Sequence, residues 1–542
     1  MATGLRGADL VARALARQGI TRVFTLSGNH IMPIFDAILA TEIDIVHARH
    51  EAACVHMADA WGRLTGEPGV ALVTGGQGQA NGAAALFTAR AAESPVVLLS
   101  GHAALGELGR GAFQELAQAD LAQPMAKASW TAQSAAGLCD DITRALMLAQ
   151  EGRLGPVHVA LPIDLLEQTV PAASGKLPMQ ASERMPDVGL IATVASKIRA
   201  AARPLVLLGP ALGHEAARTF ERQVHVPTAC MESPRGINDP ALGAFTEVLE
   251  QADFIVLIGK QLDFTLRFAQ SPAVAASCGF AVVDPETAML KRALDALGPR
   301  LEVAEEADAA PTLDALAHAL QAMPARANSW STAARENMDF RPAEWVEAQG
   351  SAGRLHPVEL CHAVDAFLAK HDAATLICDG GEIGQWPQAL VRSRRRLING
   401  VSGTIGASLP FALAARLWHR DGPVVAILGD GTFGFHMAEF DTAVRYRLPF
   451  IAVVGNDARW NAEYQIQLRS FGADRAKGCD LLPSRYDQAV AALGGYGALV
   501  TSTDQLPGAL DAAYASGLPA CINVMIDSVP APVIRRNVTS SD

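Results

Sequence analysis

Apolar and polar positions follow two rhythms along this chain. Leu10, Val11, Ala14 and Leu15 recur at the spacing of one helix face, and Gly19 ends that helix. A strand is predicted next, over residues 22–26. Short apolar runs follow at 70–73, 96–99, 205–208, 254–258, 281–283, 375–378, 424–428 and 450–454, each bounded by Gly, Pro or Asp. Strands buried on both faces lack polar alternation in this way, so parallel sheets covered by helices are expected.

Two stretches break the rhythm. Residues 169–187 contain Pro171, Gly175, Pro178 and Pro186, and residues 321–350 contain Pro324, Pro342 and two tryptophans among polar residues. Both read as connectors. They leave three α/β units, at 1–175, 188–325 and 355–535, and the fold class is three consecutive doubly wound parallel-sheet domains. The first and third units share a pattern. The run 70–73 leads into Gly75-Gly76-Gln77-Gly78, a small-residue helix, Pro95 and the run 96–99. The run 424–428 leads into Gly429-Asp430-Gly431, a helix, Pro449 and the run 450–454. Gly75 and Gly429 each precede their proline by 20 residues. Either one unit is used twice, or two α/β units coincide by chance.

Composition narrows the classes. Of 542 residues, 50% are apolar and 18% charged, as in a folded globular chain. A net charge of −12 gives no bulk attraction to nucleic acid or anionic membrane. No apolar run approaches the roughly 20 residues of a membrane span, and the N-terminus lacks a signal-peptide core. Eight cysteines stand singly with no Cys-x-x-Cys pair. They read as buried free thiols of a reducing compartment, so a cytoplasmic location is expected.

The third unit holds the strongest chemical signal. Asp430 leaves a strand end, where open α/β sheets take ligands. Gly431 lets a phosphate approach the backbone, and the following helix start offers free N–H groups. Asp457, in Gly455-Asn456-Asp457, follows 27 residues later at the end of the next strand. Two hard oxygen ligands at neighbouring strand tips suit Mg²⁺ bridging a diphosphate.

These residues resemble the thiamine diphosphate signature, and the resemblance covers nearly the whole chain. Most members carry Asn where Asp457 stands; the substitution keeps an oxygen ligand and adds a charge. The resemblance implies a pyrimidine-binding domain, a middle domain and a diphosphate-binding domain, in that order. It implies metal ligands at Asp430, Asp457 and the carbonyl of Arg459. It implies diphosphate contacts at Gly429, Gly431 and Thr432, with Gly381, Glu382 and Ile383 facing from the other side. Ile405, after Gly403, would be the apolar wedge under the bent cofactor. In the first unit, Arg49-His50-Glu51-Ala52-Ala53 resembles the segment whose glutamate bonds the aminopyrimidine, with Gly76 and Asn81 beside it. The family holds its cofactor between the first unit of one subunit and the third of another, which implies a homodimer or homotetramer.

The branch it resembles contains acetolactate synthases, 2-hydroxyacyl-CoA lyases and benzaldehyde lyase. His30, in Ser27-Gly28-Asn29-His30, stands where synthases carry a small residue. Gln114, in Gly111-Ala112-Phe113-Gln114-Glu115, would face the reacting carbon. Leu481-Leu482-Pro483-Ser484-Arg485-Tyr486 and Gly259-Lys260-Gln261-Leu262-Asp263-Phe264 sit nearer the acyl-CoA lyases. The expected function is cleavage or formation of 2-hydroxyacyl compounds, with His30 and Gln114 handling protons and orientation. Condensation of 2-keto acids of the acetolactate type is the alternative, and a catalytically silent paralogue the second. Trp460 and Tyr464 read equally as pocket lining or helix packing. The middle unit would take FAD as in synthases or the ADP moiety of CoA as in lyases; Lys260-Gln261 stands where synthases place an Arg near flavin, which weighs against FAD. Arg535-Arg536 reads as a solvated tail, with a CoA phosphate as its alternative partner.

Overall fold

The computed structural model describes residues 4–171, 182–324 and 329–536. Three parallel sheets follow one another along the chain. The first contains β1 (Arg22–Thr25), β2 (Asp44–His47), β3 (Gly69–Val73), β4 (Val96–His102), β5 (Ala128–Thr131) and β6 (Val157–Pro162). The middle sheet contains β7 (Pro204–Leu208), β8 (Thr228–Cys230), β9 (Phe254–Ile258), β10 (Gly279–Val283) and β11 (Leu301–Glu305). The third contains β12 (Thr375–Cys378), β13 (Arg395–Ile398), β14 (Val424–Gly429), β15 (Ile451–Asn456), β16 (Tyr496–Val500) and β17 (Ala520–Met525).

The spatial orders are β2-β1-β3-β4-β6-β5, β8-β7-β9-β10-β11 and β13-β12-β14-β15-β17-β16. The first and third sheets are therefore the same permutation of their strands, so the repeated sequence pattern reflects a repeated architecture. β3, β4 and β15 are buried along their whole length, which explains their unalternating apolar sequence.

The first and third domains share one apolar core. Met57 and Trp61, on the helix Glu51–Thr65, lie in it with Phe411 of the helix Ser408–Trp418. Burying one such aromatic contributes about 1.5–3 kcal/mol. Arg63 closes the contact. It bonds Asp59 through two N–H groups at 2.7 Å, reaches the Ile398 carbonyl at 2.8 Å, and lies over the Phe411 ring. The first and middle domains meet through a buried charge cluster, in which Arg153 pairs with Glu93 and Asp284 and donates to the Gly259 carbonyl at 2.9 Å.

The connectors carry more structure than their sequence suggests. Residues 329–339 form the helix Ser329–Asp339, because Trp330, Ala334 and Met338 fall on one face and enter the middle core. Trp330 also donates its indole N–H to the Pro204 carbonyl. Residues 172–181 of the first connector lie outside the described residues. The solvated-tail reading of Arg535-Arg536 is corrected. Arg535 bonds Thr246 and Asn238, and the Arg536 amide bonds Glu247 at 2.7 Å. Among the described residues all eight cysteines are unpaired, and no helix is long and apolar enough to cross a membrane.

His56 and His436 meet across the contact between first and third domains, with ring centroids 5.8 Å apart. Neither Nδ1 has a hydrogen-bond partner. Burial holds both imidazoles neutral, with pKa values pushed down to about 3. The unfolded chain takes these protons near pH 6.5, so their contribution is complete above that pH and is lost as pH falls toward 3. At pH 5 each histidine costs about 2 kcal/mol relative to pH 8. His436→Leu should therefore lose about 2 kcal/mol less stability than the wild type over this interval. Denaturation curves at the two pH values measure the difference, and equal losses would contradict the assignment.

Candidate active site

The register of β14 and β15 sets Gly429 opposite Gly455, so the residues that follow them emerge side by side. Asp430 opens the short helix Asp430–His436 and is 2% exposed; Asp457 is 9% exposed. Burial drives both carboxyls up, Asp430 to about 6, and Asp457 to about 7 with the added repulsion of Asp430. Asp430 Oδ2 has no hydrogen-bond partner. Asn456 fixes the loop behind them by donating to the Ser484 carbonyl and Asn523 Oδ1, both at 3.1 Å. The loop then turns at Ala458, whose φ is +58°. Leu481 donates to the Ala458 carbonyl and Trp460 to the Cys479 carbonyl, and the Arg459 amide faces the two carboxylates.

A cavity of about 240 Å³ opens over this pair. Gly381, Glu382, Ile383, Gly403 and Ile405 line one side, and Gly429, Gly431, Thr432, Arg459 and Trp460 the other. The Trp460 ring lies so close over Gly431 that a Cβ there would fall 2.7 Å from it. Three more buried polar atoms on the cavity wall lack partners: Gln385 Oε1, Trp386 Nε1 and Asn399 Oδ1. Asp379, just past β12, shapes the far wall. Its carboxylate accepts from the Gly380 and Gly406 amides at 2.6 and 2.8 Å and from the Ser408 hydroxyl at 2.5 Å.

Two expected residues are placed differently from the rest. The Glu382 carboxylate lines the cavity but is held by Arg235 at 3.2 Å and by the Ala531 amide at 2.6 Å. Tyr464 lies under the Arg459 guanidinium, 4.2 Å from its ring centroid, and is not among the cavity-lining residues.

The first domain brings together a second cluster at the tips of its own strands. Glu51 opens the helix Glu51–Thr65, accepts from Asn81 at 3.0 Å, and lies against Gly78. Gln114, at φ +56°, packs on Gly76, and Gln118 receives the Gly76 amide. His30 is 4% exposed, stands 3.3 Å from Thr74 Oγ1, and stacks on Phe113. Burial lowers its pKa, which favours the neutral ring. Glu51, Asn81, Gly76, His30 and Gln114 thus share one neighbourhood, yet no first-domain residue lines the cavity over Asp430.

Sequence reasoning missed Asp379, Gln385, Trp386, Asn399 and Gln118. Asp379-Gly380-Gly381 after a predicted strand echoes Gly429-Asp430-Gly431 and was a usable signal. Nothing local marks the others.

The cavity suits a diphosphate with a cation. It offers two buried carboxylates, an unpartnered oxygen and a glycine cradle that a side chain would fill. Among the described residues there is no group of three or more His, Cys, Asp and Glu able to hold a metal, so the remaining ligands would be main-chain and ligand oxygens.

Two polar clusters at the strand tips of two sheets with the same strand order, one of them suited to a diphosphate, point to a class of cofactor enzyme, and comparison with known proteins identifies it. Residues 5–121 match the thiamine pyrophosphate enzyme N-terminal TPP binding domain, and residues 379–524 match the C-terminal TPP binding domain. The chain is 32% identical to the acetolactate synthase large subunit IlvG of Mycobacterium tuberculosis, over 98% of this chain and 97% of the relative. It is 30% identical to human 2-hydroxyacyl-CoA lyase 2, over 96% and 90%. It is 29% identical to an acetolactate synthase of Bacillus subtilis, over 96% and 93%. The chain belongs to the thiamine pyrophosphate enzymes, in the family that includes these synthases and lyases.

Gly431→Ala tests the cradle. The new methyl must displace the Trp460 ring, so thiamine diphosphate affinity should fall about tenfold or more, about 1.4 kcal/mol. Quenching of tryptophan fluorescence by added cofactor measures this, and an unchanged affinity would contradict the placement.

Proposed function

We propose that the protein is a thiamine diphosphate- and Mg²⁺-dependent carbon–carbon lyase or carboligase acting on 2-hydroxyacyl compounds, 2-hydroxyacyl-CoA thioesters or acyloins. The observation that carries this reading is the buried His30, which stacks on Phe113, the residue before Gln114, and reaches Thr74, whose side chain packs with Glu51 around Gly78. A neutral imidazole can take a hydroxyl proton from a 2-hydroxy substrate or return it to a carbonyl oxygen. Gln114 orients that oxygen. Glu51 hydrogen-bonds the aminopyrimidine and adjusts its proton. Asp430, Asp457 and the Arg459 carbonyl would hold Mg²⁺, and Asn81 keeps the Glu51 carboxylate aligned. When bound, thiamine diphosphate supplies a thiazolium that stabilises a carbanion next to a carbonyl.

The separation of the two clusters supports a homodimer, with or without further pairing to a tetramer, in which each site joins Glu51 of one chain to Asp430 of another. At the middle sheet, Glu93 meets the Ala211 amide in the turn after Gly209, and Arg153 spans Glu93 and Asp284. These charges stand at the strand ends where a nucleotide would approach and, with Lys260-Gln261 where synthases place an Arg, weigh against FAD. The unpaired cysteines support a cytoplasmic location.

Acetolactate-type condensation of 2-keto acids is the second reading, favoured by the full-length likeness to proteins named as synthases. The presence of Glu51, Asp430 and Asp457 together argues against a silent paralogue. His30→Ala should lower turnover of 2-hydroxyacyl substrates about 100-fold or more, while leaving thiamine diphosphate affinity nearly unchanged. A panel of 2-hydroxyacyl-CoAs, acyloins and 2-keto acids decides the branch. Rapid acetolactate formation from pyruvate without thioester cleavage would replace the first reading by the second.

A further inference from the structure

β2 is the edge strand of the first sheet and leads directly into Glu51. Its outward-facing backbone groups belong to every second residue, 45, 47 and 49, and an edge strand must satisfy them without a neighbouring strand. The third domain of the same chain satisfies them with side chains. Tyr446 Oη accepts from the His47 amide at 2.8 Å and donates to the Ile45 carbonyl at 3.0 Å. Arg445 donates to the His47 carbonyl at 2.7 Å. Glu439 Oε1 accepts from the Arg49 amide at 3.0 Å, and the His50 amide also reaches this carboxylate. All three residues lie on or at one helix, Glu439–Tyr446.

Glu439 is 1% exposed, so its charge sits out of water. Thr442 donates to its second oxygen at 2.6 Å, and the Arg49 amide to the first. A buried carboxylate left without its partners is strongly destabilising. Those partners are the two residues immediately before Glu51. His50 then caps the helix by accepting from the Ala52 amide at 3.1 Å. The chain from Ile45 to Ala52 is thus held at successive points, and the Glu51 side chain projects from the last of them.

We propose that Glu439, with Tyr446 and Arg445, is a positioning clamp that sets the Glu51 carboxylate against the aminopyrimidine. This rests on the reading of Glu51 given above. The clamp touches neither substrate nor cofactor and acts through the backbone of residues 45–50. Because Glu51 and the diphosphate cavity of one chain serve different sites, the clamp belongs to the chain that supplies Glu51.

The test uses full-length Glu439→Ala, Glu439→Gln, Tyr446→Phe and Glu51→Gln. Amide hydrogen exchange of the cofactor-free protein should speed up at Arg49 and His50 in Glu439→Ala, and at His47 in Tyr446→Phe. At saturating thiamine diphosphate, exchange of the thiazolium C2 proton should slow about tenfold in Glu439→Ala, with cofactor affinity within about twofold of wild type and partial recovery in Glu439→Gln. C2 exchange at the wild-type rate in folded Glu439→Ala would overturn the clamp, as would a loss matched by lost affinity alone. If Glu439→Ala does not fold, Tyr446→Phe carries the same test with the same two outcomes. Glu51→Gln separates the two claims. Unslowed C2 exchange in Glu51→Gln removes the Glu51 reading; slowed exchange there with normal exchange in the clamp variants removes the clamp alone.

Discussion

Two carboxylates held side by side out of water are an unstable arrangement, and the third domain is built around one. Asp430 and Asp457 leave adjacent strand tips whose register forces them together. Desolvation raises both pKa values, and the repulsion of Asp430 raises that of Asp457 further. A cation with a diphosphate would resolve it by neutralising the pair. The net charge of −12 gives no help from the overall field. Gln385, Trp386 and Asn399, which line the cavity, also carry buried polar atoms without partners in the protein.

Much of this was legible in the chain. The strands that carry Asp430 and Asp457 are apolar runs ending in glycine, and the spacing between the two aspartates is the length of one helical crossover and one strand. The duplicated unit was legible for the same reason, and the identical strand permutations bear it out. Edge strands were not. β2, β5 and β16 are half-exposed and lack an unbroken apolar run. β6 and β17 are buried throughout or nearly so, but each is interrupted by a polar residue, His158 or Asn523. Those residues are satisfied within the fold. His158 bonds Ser100 and Ser129, and Asn523 bonds the Ser484 carbonyl. Such partners come from distant sequence, so periodicity cannot reveal them. The same holds for the clamp at Glu439 and for the docking of Arg535 on the middle domain.

The two halves of the site differ in what holds them. The diphosphate half is fixed within its own sheet, by Asp379, Asn456 and the glycine turns. The Glu51 half is fixed partly from outside its domain, through the shared core at Phe411 and the backbone bonds to the helix Glu439–Tyr446. One chain therefore presents two clusters joined by a common core, and the proposed homodimer would complete each with its counterpart on a second copy.

Subunit complementation measures this most directly. Glu51→Gln chains keep an intact diphosphate half, and Asp457→Ala chains keep an intact Glu51 half. Dissociated, mixed in equal amounts and reassembled, they should recover about a quarter of wild-type activity, because half of the dimers are mixed and each mixed dimer has one intact site. Activity no higher than the sum of the two parent variants would contradict a site shared between chains.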